Sequence, residues 1–150
     1  MKEFKRILFP VDLSESSANI VPYVQTVAKK FEAQIHILFA ARVFEYFTSI
    51  YVPHPSINKF EKEIIAGAEK RLYEFLDEHF SEFPNAKTAV VAGDASEEIL
   101  NYTKDHHIDL VIMGTHGRKG MDKIIFGSVA ERVVKMSPVP VMVVNPYKTN

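Results

Sequence analysis

The sequence predicts an α/β protein built on a doubly wound, parallel sheet of five strands. Five short apolar runs alternate along the chain with segments whose apolar residues recur at helical spacing. Most of these runs are continuous rather than alternating, which is typical of strands buried on both faces of a parallel sheet. Because strands and helices follow each other in turn, the crossovers are expected to be right-handed and to place helices on both faces.

The sequence predicts five strands and a first helix whose starting residue is ambiguous. The predicted strands are RILFPV, QIHILFAA, KTAVVA, DLVIMG and PVPVMVV, at residues 6–11, 34–41, 87–92, 109–114 and 138–144. The first helix lies between Ser14 and Phe31. Pro22 would remove one of its backbone hydrogen bonds, so we expect the helix to begin either near Ser14 or as late as Asn19.

The second and third helices follow from apolar stripes at helical spacing. The second covers Ile57 to about Phe80, and the third runs from about Ser96 to His106 with Asp94 or Ser96 as its N-cap. The adjacent pair His106-His107 is interpreted as a helix C-terminus rather than a metal site, because neighbouring residues on a helix do not share a face.

The fourth helix is predicted to begin at Ser128. Its spacing to Glu131 matches a capping box, which makes Ser128 the expected N-cap. The helix is expected to end near Ser137, before two prolines.

Length and composition indicate one soluble domain covering residues 1–150. Apolar residues make up 47% and charged residues 25% of the chain. With 18 Lys and Arg against 19 Asp and Glu, the net charge of −1 gives no support to binding of nucleic acid or anionic membranes. The absence of cysteine excludes disulfides and thiolate metal sites. Without a signal-peptide core or a membrane-spanning run, the expected location is cytoplasmic.

One long irregular stretch interrupts the regular pattern, at residues 41–56. It is rich in Phe and Tyr. In a compact domain such a stretch is a lid over a ligand, a surface for a partner or a mobile segment, and the sequence leaves these three readings open.

A ligand of an open α/β sheet binds beyond the carboxyl ends of the strands, where the winding reverses. The glycines are concentrated after the fourth predicted strand, in the stretch MGTHGRKGMDKIIFGSV. This stretch contains neither the P-loop pattern GxxxxGK[ST] nor a GxGxxG between strand and helix. What it does contain is Gly114-x2-Gly117-x9-Gly127-Ser128.

This spacing resembles the nucleotide-binding motif of the universal stress protein family, G-x2-G-x9-G-[ST]. The resemblance extends over the whole chain: DLVIMG and the residues to Val144 resemble the family's C-terminal third, and RILFPVDLSESS resembles its first strand and loop. It implies the sheet order 3-2-1-4-5. Because the motif is intact, it indicates the branch of the family that binds nucleotide.

The resemblance also implies a site for an adenine nucleotide, ATP or AMP, with or without Mg²⁺. Pro10, Val11 and Asp12 would line the adenine and ribose side, with Asp12 accepting hydrogen bonds from ribose hydroxyls. The alternative for Asp12 is a cap on the first helix. The other nucleotide-binding residues implied are Ala40 against adenine and Met113, Gly114, Gly117, Arg118, Gly127, Ser128 and Val129 around the sugar and phosphates.

The expected function is that of a homodimeric, nucleotide-binding regulatory module of the stress response. The apolar last strand would lie at the sheet edge, and the resemblance implies that it pairs with the same strand, Val139 to Val144, of a second copy. No base to activate water stands out, so any ATP hydrolysis would be weak and no catalytic residue is assigned. Two alternatives remain: a nucleotide-free dimeric interaction module, and an enzyme that turns over ATP. An SGGxDS-type pyrophosphate loop after the first strand is missing, which counts against the enzyme.

Overall fold

A computed structural model describes residues 1–42, 54–115 and 127–148; for residues 54–57 it describes the backbone alone. Within these ranges strands and helices alternate from first to last. In chain order they are β1 (Arg6–Pro10), α1 (Glu15–Phe31), β2 (Gln34–Ala41), α2 (His54–Phe80), β3 (Lys87–Ala92), α3 (Ala95–Asp105), β4 (Leu110–Gly114), α4 (Ser128–Met136) and β5 (Val141–Val144).

The strands form one parallel sheet in the order β3-β2-β1-β4-β5. The predicted fold class and strand order are therefore confirmed. The central strand β1 is paired along its length with β2, from Arg6 opposite Gln34 to Pro10 opposite Leu38. On its other side, Ile7 lies opposite Leu110 of β4.

Consecutive residues of the central strands point into two separate cores, one on each face of the sheet. Ile7 and Phe9 pack with Val24 of α1 and Leu72 of α2. Leu8, between them, packs on the opposite face in a cluster whose other members include Leu38, Ile99, Val111, Met113 and Val133. Helices α1 and α2 thus cover one face and α3 and α4 cover the other, which explains why the strand sequences are continuously apolar.

Two predicted element boundaries are corrected by hydrogen bonding. Helix α1 begins at Glu15, so the later start at Asn19 is wrong and Pro22 lies inside the helix. Strand β5 begins at Val141 rather than at residue 138, because Pro138 and Pro140 have no amide to contribute to a ladder.

Local hydrogen bonds also define the start of β4 and the two ends of α3. Asp109 was assigned to β4, but the strand begins at Leu110 and the Asp109 carboxylate accepts from the amides of Lys5 and Arg6, each at 2.9 Å. Of the two predicted N-cap candidates, Asp94 caps α3 and Ser96 does not; the Asp94 side chain accepts from the Glu97 amide. Helix α3 ends at Asp105 with His106 as C-cap, which confirms the reading of the histidine pair as a helix C-terminus.

No helix in the described ranges is long and apolar enough to cross a bilayer.

Candidate functional site

The candidate site lies at the carboxyl edge of the sheet, between the ends of β1 and β4. The chain leaves β1 towards β2 and β3 on one side, whereas β4 and β5 lie on the other, so the winding reverses between β1 and β4. The loop after β1, the end of β4 and the start of α4 all meet this edge. A crevice at such a reversal is where open α/β sheets bind ligands.

Asp12, in the loop after β1, has one carboxylate oxygen engaged and one without a partner. Its Oδ1 accepts from the Ser14 amide at 3.0 Å, the Ser14 hydroxyl at 2.6 Å and the Ser17 hydroxyl at 2.8 Å. Its own amide donates to Ser17 Oγ at 3.1 Å. Among the described residues nothing donates to Asp12 Oδ2, although this oxygen is buried.

These contacts bear on both predicted roles of Asp12, the contact with ribose and the cap on the first helix. Oδ1 holds the loop that leads into α1, whose N-cap is Ser14, so the side chain has a structural role without reaching the first free helix amides. Oδ2 is left over, and a buried polar atom without a partner typically costs about 1–3 kcal/mol. A hydroxyl donor of a ligand that displaced the atoms covering this oxygen would satisfy it.

Leu13, the next residue, adopts a left-handed backbone conformation with φ of 61°. Such a conformation is uncommon for a residue with a side chain and costs of order 1 kcal/mol or more. The bonds of Asp12 Oδ1 to Ser14 on the far side of Leu13 hold the backbone in it. The loop after β1 therefore has a defined shape before any ligand arrives.

The end of β4 and the start of α4 are joined by a short backbone hydrogen bond. The Gly127 amide donates to the Thr115 carbonyl at 2.6 Å, and the Thr115 amide donates to the Val144 carbonyl at 2.9 Å. A Cβ atom on Gly127 would stand 2.9 Å from the same Thr115 carbonyl oxygen. The backbone conformation of Gly127 does not require glycine, because its φ of −67° is accessible to any residue. Glycine is required here because the two backbones approach too closely to leave room for a side chain.

Helix α4 begins with Gly127 as its N-cap, so the prediction that Ser128 is the N-cap is wrong. Ser128 is the first helical residue, and the Glu131 side chain pairs with Lys135 at 2.9 Å instead of closing a capping box. Because Gly127 has no side chain, it makes no cap bond. In the described ranges no group accepts from the amides of Ser128 and Val129, which stand at the positive end of the helix, where an anion is favoured.

The residues predicted for the site are brought to this edge with different degrees of exposure. Val11 and Met113 have buried side chains that belong to the two cores, so only their backbone can face a ligand. Ala40 and Gly114 are half-buried at the ends of β2 and β4, and Pro10 ends β1. The remaining predicted positions, Gly117 and Arg118, lie outside the described residues.

A polar cluster that sequence reasoning missed lies at the same edge, centred on Asp94 at the start of α3. Asp94 Oδ2 accepts from the Ser96 hydroxyl at 2.7 Å and from Arg132 Nη1 of α4 at 3.3 Å. Arg132 Nη1 also donates to Ser96 Oγ at 3.0 Å, and Arg42 Nη2 lies 3.9 Å from Asp94 Oδ1. The Ser96 hydroxyl and the Glu97 amide, followed by the two guanidinium groups, lower the pKa of Asp94.

A second electrostatic feature lies in the sheet, away from this edge. His36 of β2 is buried, and its Nδ1 lies 2.7 Å from the hydroxyl of Tyr102, which stacks on His106. Burial, followed by the charges of Lys87, His106 and Arg6, lowers the pKa of His36 to about 4. His36 is therefore neutral at physiological pH.

The described residues contain no group of three or more His, Asp or Glu side chains placed to hold a metal ion.

Comparison with known proteins assigns the chain to a family. The sequence model described as "Universal stress protein family" matches residues 3–145. The chain belongs to the universal stress protein family. The resemblance seen in the glycine spacing is thereby confirmed.

Similar members of the family match nearly the whole chain. Universal stress protein MJ0531 of Methanocaldococcus jannaschii is 30% identical over 151 residues, which cover 97% of this chain and 84% of that protein. Universal stress protein YxiE of Bacillus subtilis is 28% identical over 146 residues, covering 94% and 99% of the two chains. The solved structure of the hypothetical protein MJ0577 has a TM-score of 0.84 at 26% identity and covers 96% of this chain and 97% of that one.

Two further structures of the same fold were solved with a nucleotide. One is a universal stress protein in complex with cAMP, with a TM-score of 0.61 and 20% identity over 97% of this chain and 99% of that one. The other is the universal stress protein from Archaeoglobus fulgidus in complex with dAMP, with a TM-score of 0.56 and 14% identity over 95% and 98% of the two chains.

Proposed function

We propose that this protein is a regulatory module that binds an adenine nucleotide, ATP or AMP, at the carboxyl edge of its sheet. The observation that carries the proposal is the start of α4. A glycine N-cap leaves the amides of Ser128 and Val129 without a partner in the described ranges, on the edge beneath which the partnerless Oδ2 of Asp12 is buried. Amides for phosphate and a carboxylate for sugar hydroxyls are complementary to a nucleotide.

Each group has a distinct part in the proposed complex. Asp12 Oδ2 would accept from a ribose hydroxyl, next to the backbone of Pro10 and Val11. Ala40, half-buried at the end of β2, would contact the adenine ring. The amides of Ser128 and Val129 would donate to the outermost phosphates.

The glycine-rich stretch would hold the part of the ligand between ribose and outermost phosphates. Gly114 and Gly117 would allow the backbone, with Met113, to approach the sugar and the first phosphate. Arg118 would compensate phosphate charge. Mg²⁺, where present, would be held by the phosphates, because no metal-binding group of side chains occurs in the described ranges.

The relatives support the ligand class. Two proteins of the same fold have been solved with cAMP and dAMP, both of which contain adenine, a sugar and a phosphate. The family's intact glycine spacing occurs in this chain, and its last glycine and serine are at the helix start described above.

The proposed working form is a homodimer that pairs β5 of one copy with β5 of another. β5 is an edge strand, so one row of its backbone groups has no neighbouring strand within the described sheet. Val143 on this strand is 37% exposed. Apolar edge strands tend to be covered, and a self-complementary edge favours a twofold pair. The location proposed is the cytoplasm.

Equilibrium dialysis with ATP, ADP and AMP tests the proposed binding. We expect saturable binding of at least one of the three nucleotides, and the absence of binding at millimolar nucleotide would overturn the proposal. Sedimentation at micromolar protein tests the dimer separately. A dimer without nucleotide binding would instead support the interaction module, and steady ATP turnover by the pure protein would support an enzyme.

A further inference from the structure

Arg132 lies on the helix face that adjoins the proposed phosphate end of the site. It follows Ser128 by four residues, so the two side chains lie on the same face of α4. Both line a surface cavity of about 300 Å³ along α4, together with Glu131, Lys135 and Met136. The Arg132 guanidinium donates to Asp94 and Ser96, but helical side chains lean towards the helix N-terminus, so the first turn of α4 lies within reach of this long side chain.

Arg132 can leave its present ion pair with Asp94 for a stronger anionic partner. Its side chain is 54% exposed, and that of Asp94 is 43% exposed. The 3.3 Å ion pair between them is therefore solvated, and exposed pairs of this kind contribute little. A phosphate dianion would be a stronger partner for a guanidinium than a shared carboxylate.

Asp94 keeps other partners if Arg132 leaves. Its Oδ2 also accepts from the Ser96 hydroxyl and the Glu97 amide, and Arg42 Nη2 lies 3.9 Å from its Oδ1. Moving the guanidinium would leave no bare carboxylate behind. The other acidic residue of the cavity, Glu131, is paired with Lys135.

We propose that Arg132 is the residue by which the site distinguishes nucleotides by their number of phosphates, exchanging Asp94 for the outermost phosphate of ATP. The inference rests on the proposed nucleotide function. In the proposed complex the first phosphate lies at Gly114 and Gly117, so the single phosphate of AMP stops short of Arg132, and Arg132 stays with Asp94 when AMP binds. In the ATP complex Arg132 contacts the ligand, and Asp94 acts against that contact as a competing acceptor.

Two variants with opposite expected effects test this exchange, by titration of adenosine, AMP and ATP into the full chain. Arg132→Gln removes the charge, and we expect ATP affinity to fall about tenfold while AMP and adenosine affinities stay within twofold. Asp94→Asn keeps a good N-cap for α3 but removes the competing charge, and we expect ATP affinity to rise. Lys29→Gln, which breaks an ion pair with Glu82 at the far end of α1, is the matched control and should change neither.

The outcomes separate this inference from the function on which it rests. If wild-type protein binds none of the three ligands, the proposed function fails and the inference fails with it. If wild-type protein binds ATP but Arg132→Gln weakens AMP and ATP by the same factor, Arg132 only supports the fold. A fall in ATP affinity in Asp94→Asn, with urea unfolding unchanged, would equally overturn the exchange.

Discussion

Gly127 and Thr115 approach so closely that the Gly127 amide lies 2.6 Å from the Thr115 carbonyl oxygen and leaves no room for a side chain. The bond fixes where α4 starts, and so fixes the direction of the first free amides. It also ties that start to β5, because Thr115 donates to Val144. The geometry of the proposed phosphate end thus depends on one glycine.

Replacing Gly127 by alanine is expected to weaken nucleotide binding and to destabilise the fold. The added Cβ would stand 2.9 Å from the Thr115 carbonyl oxygen, a backbone atom, so the start of α4 must shift. Overpacking of this kind typically costs about 1–3 kcal/mol. Urea unfolding and ATP titration measure the two effects.

Gly67→Ala is the matched control for this substitution. Gly67 is exposed in α2, with nothing within 4 Å of a Cβ placed on it. We expect this variant to gain about 0.5–1 kcal/mol, since alanine loses less backbone entropy in a helix. Its nucleotide affinity should be unchanged. Equal affinities in Gly127→Ala and wild type would contradict the assignment of α4 as the phosphate-binding end.

Asp12 offers a way to separate binding from stability. Asp12→Asn retains an oxygen for the three donors on Oδ1 and places an amide donor at the position of Oδ2. We expect nucleotide affinity to fall at least tenfold while the urea midpoint changes little, because a ribose hydroxyl would lose a charged acceptor. Titration calorimetry and urea unfolding provide the two readings.

Asp12→Ala is the companion variant. It leaves the Ser14 amide and the hydroxyls of Ser14 and Ser17 without their acceptor, so we expect a loss of about 1–3 kcal/mol of stability as well as of binding. Should Asp12→Asn bind nucleotide as tightly as wild type, Asp12 would be a loop-forming residue only.

His36 predicts how stability changes in mild acid. Its pKa is about 4 in the folded chain, below the 6.5 of an unperturbed histidine, so the unfolded chain takes up the proton first. The contribution is complete above pH 6.5 and is lost as the pH falls towards 4, by roughly 2 kcal/mol at pH 5. Urea unfolding between pH 7 and pH 4.5 measures it.

Comparing the pH dependence of stability in wild type and in two histidine variants separates the effect of His36 from that of the other titrating groups. His36→Gln retains a partner for the Tyr102 hydroxyl but does not titrate in this range, so its stability should depend less steeply on pH than that of wild type. His107→Asn removes an exposed histidine at a left-handed position that asparagine tolerates, and it should behave as wild type. Parallel pH curves for wild type and His36→Gln would rule out the assigned role.

The proposed dimer is tested by a charge on its edge strand. Val143→Lys places a cation on β5, where exposed charges block strand pairing, and the variant is expected to sediment as a monomer at micromolar concentration. Tyr73→Lys, on the exposed side of α2, is the control because Tyr73 is 65% exposed and α2 packs on β2 and β3, towards the sheet edge opposite β5. If Val143→Lys and wild type sediment alike, the dimer, if one forms, does not use β5.

The sheet could be predicted because the apolar pattern of its strands is local and repeated along the chain, whereas the strand order was implied by the resemblance to the family. Continuous apolar strands such as RILFPV require cover on both faces, and the two cores observed around Ile7 and Leu8 supply it. Glycine spacing then placed a candidate site at the end of β4. Strand β5 is shorter than its apolar sequence predicts, because Pro138 and Pro140 have no amide to contribute to the ladder.

The details of the site depend on contacts between distant residues, which a local pattern does not contain. Ser128 has a side chain typical of an N-cap, but it is the first helical residue, and Gly127, which is hydrogen-bonded to Thr115, is the N-cap. Arg132 and Asp94 are ordinary surface residues 38 positions apart, and only the packing of α4 against α3 brings them together. Likewise, the partnerless Oδ2 of Asp12 follows from three donors that converge on the other oxygen.

The hydrogen bond between Gly127 and Thr115 also bears on how many residues can lie between these two positions. The hydrogen bond between Gly127 and Thr115 needs only that these two residues meet, and the entropic cost of closing a chain segment in general grows slowly with its length, about 0.6 kcal/mol for each doubling. Folding alone therefore imposes little constraint on the number of residues between them. Under the proposed function, the number of residues in this interval is set by the ligand rather than by that hydrogen bond.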